Sequence, residues 1–170
     1  MTTSQTSQSN DAKPTMTRDA IGLLTQEHRK VQALFREYER IRDTGSPEEK
    51  FEIAKAVCGD LLIHMEIEEA IFYAAVRDQI QDEDLMKDAE SEHKAAKRLI
   101  RHIGEIDPTH EAFDSKLADL MQKIEHHVDD EETKMFPKVL VSGVDLKSLG
   151  EQLFAARNDM RTRLGLPPEA

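Results

Sequence analysis

The chain has one cysteine, Cys58, and no tryptophan. A single cysteine cannot close an internal disulfide, so nothing in the sequence calls for an oxidising compartment. Cys58 lies in an apolar helical stretch, where a lone thiol reads as a small hydrophobe. No apolar run is long enough to span a membrane, and residues 1–16 lack the apolar block of a signal peptide. These features predict a cytoplasmic protein with no membrane partner. Positive charge is scarce too: 23 Lys and Arg against 34 Asp and Glu leave a net charge of −11. An acidic chain releases few counterions from a phosphate backbone, so nucleic acid is not expected as a direct partner. No nucleophile triad, phosphate loop or zinc-protease motif is present, so no catalytic residue is nominated by motif.

What the sequence does have is helical periodicity. Its 170 residues suit one domain. Residues 1–16, rich in Ser, Thr and Gln, read as a disordered tail. The first helix is expected over about 17–41, with Ile21, Leu24, His28, Val31, Phe35 and Tyr38 on one side. Ser46, Pro47 and Glu49 form the start signal of a second helix, Ser46 and Glu49 as a capping box. Its apolar seam runs Ala54, Val57, Leu61, His64, Glu68, Ile71, Ala75 to a break near Asp78. A third helix is expected over 83–106 with Met86, Ala89, His93, Ala96, Ile100 and Ile103 inward. A fourth runs from about 110 to 137 through Phe113, Leu117, Leu120, Ile124, His127, Glu131 and Met135. Beyond Gly143 an N-cap at Asp145 opens a short fifth helix expected to cap the bundle. The expected fold is all-α: an up-down four-helix bundle over 17–141, with a C-terminal helix and tail over 142–170 packed on it. A monomer or weak dimer is expected.

Histidine stands out on these seams. Each of the four helices turns one inward: His28, His64, His93 and His127. Two of the four add a glutamate one turn later on the same face, Glu68 and Glu131. The two His-x-x-x-Glu pairs are 63 residues apart and the two lone histidines 65 apart, so a helix pair is used twice. Burying two carboxylates costs several kcal/mol each, and buried imidazoles need partners for their ring nitrogens. A divalent or trivalent cation meets both demands, and imidazole with carboxylate suits iron, manganese or zinc. The bland alternatives are hydrogen-bonded core histidines and, for Glu68 or Glu131, a buried salt bridge to Lys or Arg. His126, Glu132, His102 and His110 lie off the seams or at a helix entrance and are set aside as ligands, Glu132 least firmly because a local helix irregularity could exchange it with Glu131. A ferritin-like carboxylate site needs Glu-x-x-His on two helices, and only Glu90 and His93 supply that spacing.

The set His28, His64-x-x-x-Glu68, His93, His127-x-x-x-Glu131 resembles the hemerythrin-like, HHE cation-binding domain family. The contexts LLTQEHRKVQALF, LLIHMEIEEAIFYAAV, AESEHKAAKRLI and IEHHVDDEETKMFPKV carry the likeness over about 19–141. The resemblance implies a four-helix bundle with two non-haem irons, bridged by oxo or hydroxo. It makes His28, His64, His93 and His127 terminal ligands and Glu68 and Glu131 bridges. The oxygen carriers of the family have a fifth histidine one turn from the third-helix ligand. Here Ala89 and Lys97 hold those positions. One iron would then be open, take water, or recruit Tyr38 or Tyr73. The expected partners are metal ions and small diatomic or peroxide ligands. The expected role is sensing or handling O2, nitric oxide, peroxide or iron in oxidative stress rather than oxygen carriage. The alternative is a small redox enzyme turning over peroxide or nitric oxide.

Overall fold

The computed structural model describes residues 19–170, so the tail expected over 1–16 and the expected helix start at 17 lie outside the described residues. Helix α1, Ala20–Ile41, is capped by Asp19, whose carboxylate accepts from the Gly22 N–H at 2.7 Å. It ends in a tight turn in which the Gly45 N–H bonds the Ile41 carbonyl at 2.6 Å. A Cβ on Gly45 would lie 2.9 Å from that carbonyl oxygen, so the turn requires glycine. Helix α2, Pro47–Ile67, opens with the expected capping box: Ser46 Oγ accepts from the Glu49 N–H, and Glu49 accepts from the Ser46 N–H at 2.7 Å.

The second helix is not regular to its end. A π-helical turn, π1 (Glu68–Phe72), joins α2 to α3, Tyr73–Ile80. The expected break near Asp78 lies instead past Ile80, where Gln81 takes a left-handed conformation (φ 49°) and Asp82 caps the next helix. Helix α4, Glu83–Glu105, ends ahead of Pro108, which restrains the residue before it. His110 caps α5, Glu111–Asp130, with Nδ1 accepting from the Ala112 N–H at 3.0 Å.

The fourth helix repeats the irregularity of the second. A second π turn, π2 (Glu131–Met135), leads into α6, Phe136–Leu140. The helix was expected to stop at Pro137, yet it continues three residues further. A π turn resets the hydrogen-bond register, so Pro137 sits in a first-turn position where its missing N–H costs little. The two π turns begin 63 residues apart, at Glu68 and Glu131, so the internal repeat extends to the backbone.

Short connections make consecutive helices antiparallel neighbours, and no strand occurs among the described residues. Helix α7, Leu146–Arg163, is capped by Asp145 and lies against α1, α2 and π1. It buries Leu149 and Leu153, and two of its arginines, Arg157 and Arg161, turn inward. The apolar core is in two parts. One contains Val31, Phe35, Val57, Leu61, Leu117 and Leu120, with half-buried Cys58 packed against it. The other contains Leu24, Phe72, Val76, Met86, Met135 and Leu153. The buried histidines and glutamates fall between them along each seam, so a polar layer crosses the middle of the bundle.

Candidate metal centre

His28, His64, Glu68, His93, His127 and Glu131 are all buried, with Glu68 fully out of solvent. The bundle brings all six together. Glu68 lies between two histidines: Oε1 is 3.2 Å from His64 Nε2 and Oε2 is 3.3 Å from His93 Nε2. Glu131 mirrors it, with Oε2 3.2 Å from His28 Nε2 and Oε1 3.6 Å from His127 Nε2. No lysine or arginine pairs with either carboxylate among the described residues, so the salt-bridge alternative does not describe them. Donor atoms converge in two groups that share Glu68: His28, His64, Glu68 and Glu131 in one, and Glu68, His93 and His127 in the other.

The histidines are oriented from behind by four further carboxylates. His64 Nδ1 bonds Glu27 at 2.6 Å and His93 Nδ1 bonds Glu69 at 2.9 Å. His127 Nδ1 bonds Glu92 at 2.7 Å and His28 Nδ1 bonds Glu132 at 2.9 Å. Each helix thus lends a carboxylate to the histidine of the next helix, and the fourth returns one to the first. A carboxylate at Nδ1 fixes the proton there and leaves Nε2 as a lone pair aimed inward. Three of the outer carboxylates have a cationic partner, Arg157 on Glu27 at 3.3 Å, Lys97 on Glu69 at 2.9 Å and Arg29 on Glu132 at 2.6 Å, while Glu92 has the His126 ring at 3.3 Å.

This wiring leaves electron-rich atoms facing each other. His28 Nε2, His64 Nε2, both oxygens of Glu68 and Glu131 Oε2 are buried with no hydrogen-bond partner among the described residues. Such groups are costly unless something positive lies among them. The field they create is legible in the titrating groups. Burial disfavours the His64 imidazolium, but Glu68 and Glu27 outweigh it and hold the pKa well above the usual value. Burial likewise opposes the Glu68 carboxylate, yet His64 and His93 hold its pKa well below the usual range. His127 is raised in the same way: burial is outweighed by Glu131 and Glu92.

The sequence model of the hemerythrin HHE cation binding domain matches residues 19–139. The chain belongs to this family. Among solved structures it is similar to a hemerythrin HHE cation binding domain-containing protein from Mycobacterium kansasii, with a TM-score of 0.72 and 22% identity over 85% of this chain and 88% of that one. That likeness shows a shared fold. Among curated proteins it is similar to one called a DNA nickase from Nostoc sp. (strain PCC 7120), 27% identical over 145 residues. The match covers 84% of this chain but 40% of that protein, so the chain spans less than half of its relative's length.

Within this HHE domain the two π turns place the layer's flanking rings. Tyr73 follows π1 and stacks on His93, with ring centroids 5.3 Å apart. Phe136, its counterpart 63 residues later, stacks on His28 at 6.0 Å. The repeat is broken by one hydroxyl. Tyr73 donates a hydrogen bond to Glu131 Oε1 at 2.6 Å, and its oxygen lies 3.2 Å from His93 Nε2. Burial, then Glu131 and Glu68, push its pKa well above the usual value. Tyr38 lies elsewhere, packed in the first core cluster with its hydroxyl on Asp114 at 2.6 Å.

The residues set aside also have definite places. π2 is the kind of irregularity that could have exchanged Glu131 and Glu132; Glu131 faces inward and Glu132 holds His28 from behind. His126 is exposed, and Lys97 serves Glu69. Seam reasoning missed Glu27, Glu69, Glu92 and Glu132. Their signal was the doublets Glu27–His28, Glu92–His93, Glu68–Glu69 and Glu131–Glu132, which share the spacing of the repeat.

Proposed function

We propose that the chain holds two non-haem irons, one on His28 and His64 and the other on His93 and His127, with Glu68 and Glu131 shared between them. The observation that carries this reading is the set of buried, unpartnered nitrogens and oxygens lying between histidines of both pairs. Two irons would supply one-electron redox steps and open coordination positions for a small oxygen- or nitrogen-containing ligand.

The chain's own residues make the two halves unequal. On the His93 side the Tyr73 oxygen, 3.2 Å from His93 Nε2, would be the added donor in place of a fifth imidazole; the Tyr38 hydroxyl lies away from the layer, on Asp114. If Tyr73 gave up its proton against iron, the phenolate would favour the ferric state, whereas reversible O2 carriage requires the ferrous one. On the His28 side, Phe136 offers no donor. There a cavity of about 10 Å³ touches His28, His64 and His127 and is otherwise walled chiefly by Val31, Leu61, Met65, Ile124 and Val128. That is room for about one water-sized molecule. A space that small excludes anything larger than O2, nitric oxide or peroxide, and its mostly apolar wall favours the first two. The reading is a di-iron domain that senses or handles such ligands in place of carrying oxygen, working in the cytoplasm.

The second reading is turnover of peroxide or nitric oxide on the His28 side, where the cavity would admit one such molecule beside an open iron position. The nicking activity in the relative's name belongs to a protein of which this chain matches 40%, and a net charge of −11 gives a phosphate backbone little to hold. The test is to load the chain with iron, count iron per chain, and record its absorption while adding O2, nitric oxide or peroxide. About two irons with spectral change and no consumption supports sensing; catalytic loss of the added molecule supports turnover. An iron content near zero contradicts both.

A further inference from the structure

A third group of potential ligands lies outside the buried layer. Glu92, His126 and Asp130 bring a carboxylate oxygen, an imidazole nitrogen and a second carboxylate oxygen within 4.8 Å of one another. His126 Nε2 is 3.3 Å from Glu92 Oε1 and 3.7 Å from Asp130 Oδ2. Each carboxylate is held by its other oxygen: Glu92 Oε2 by His127 Nδ1 at 2.7 Å, and Asp130 Oδ1 by Lys134 at 2.8 Å. Both are therefore oriented with a free oxygen towards the same imidazole. The His126 side chain is 67% exposed, and a groove of about 640 Å³ between α4 and α5 has Glu92 and His126 in its wall.

We propose that Glu92, His126 and Asp130 form a surface capture site for a divalent transition-metal ion, from which the buried centre is supplied. One imidazole and two carboxylates suit Fe2+, Mn2+, Co2+ or Zn2+, and three protein ligands leave positions for water. Such a site binds weakly and exchanges readily, which a transit position requires. Glu92 belongs to both sites. One of its oxygens faces the captured ion, and the other holds His127, whose Nε2 faces the buried layer. Delivery needs no new residue, only a swing of Glu92 away from His127. A plain ion-pair cluster is the competing account, with Lys134 and His126 both on Asp130.

The supply half of the proposal rests on the di-iron reading, and the test keeps the two apart. Iron-loaded full-length chain is titrated anaerobically with Co2+. About one further equivalent is expected, absent in His126→Ala and in Asp130→Asn but kept in His102→Ala. No further equivalent in the unaltered chain overturns the capture site. Metal-free chain is then mixed with Fe2+ and uptake is followed in time. Asp130→Asn is expected to reach the same final iron content several-fold more slowly; an unchanged rate overturns the supply role. An unaltered chain that takes up no iron contradicts the buried centre, and with it the supply role, while the Co2+ titration still reads the surface site by itself.

Discussion

Glu27, on α1, accepts a 2.6 Å hydrogen bond from Nδ1 of His64, on the neighbouring helix. That contact ties the orientation of one candidate ligand to the packing of two helices, and three like it close the ring around the bundle. It also makes α7 part of the centre, because the buried Arg157 of α7 lies 3.3 Å from Glu27.

Weakening this link should loosen the metal while leaving every candidate ligand in place. Glu27→Gln keeps the shape and removes the charge behind His64. Loss of such a partner lowers metal affinity by roughly 10–100-fold. Competition with a chromophoric chelator measures it; affinity equal to that of the unaltered chain contradicts the orienting role.

Arg157→Met should act on stability. It leaves the Glu27 carboxylate buried without its guanidinium partner. Glu27 keeps His64 as a partner, so the loss is that of one charged hydrogen bond, about 1.5–3 kcal/mol. Urea unfolding of the metal-free chain should show a lowered midpoint. An unchanged midpoint would mean that α7 is a cap and nothing more.

The two tyrosines should separate cleanly. Tyr73→Phe removes the hydroxyl on Glu131 and should abolish any visible iron–phenolate absorption band. Tyr38→Phe should leave the spectrum intact and cost about 1 kcal/mol for its lost bond to Asp114. A band that survives Tyr73→Phe would exclude Tyr73 as a ligand.

The helices, the caps at Ser46 and Asp145 and the six inward residues were legible, since burial and a repeat of about 3.6 residues select one face and Ser, Asp, Pro and Glu mark the helix starts. What a face does not encode is which neighbouring helix an adjacent residue meets. Glu27, Glu69, Glu92 and Glu132 sit beside the seam and reach sideways, so their roles emerge only from lateral packing. The π turns were hidden for a related reason. One extra residue per turn leaves no mark in composition, and Pro137 reads as a stop until π2 is seen ahead of it. The tail was expected on the bundle, but not its partners: Glu169 lies among Lys30, Arg157 and Arg161.

That last contact carries a pH signature. Burial raises the Glu169 pKa, but Lys30, Arg161 and Arg157 outweigh it and leave it below the ordinary 4.5. A carboxyl depressed in the folded state contributes stability above its unfolded pKa and loses it as pH falls through the folded pKa. Glu169→Gln should therefore be less stable than the unaltered chain at pH 7, by at most about 1 kcal/mol at this partly exposed site. The difference should vanish as the pH drops below 4.5. Denaturant unfolding at both pH values checks it; a difference that persists in acid contradicts the ion-pair account.

Two irons in the polar layer, sharing Glu68 and Glu131, would be located by diffraction from iron-loaded crystals recorded on either side of the iron absorption edge. Two anomalous peaks are predicted, one beside Nε2 of His28 and His64 and the other beside Nε2 of His93 and His127, with both carboxylates between them. A single peak, or none within that layer, would contradict the account.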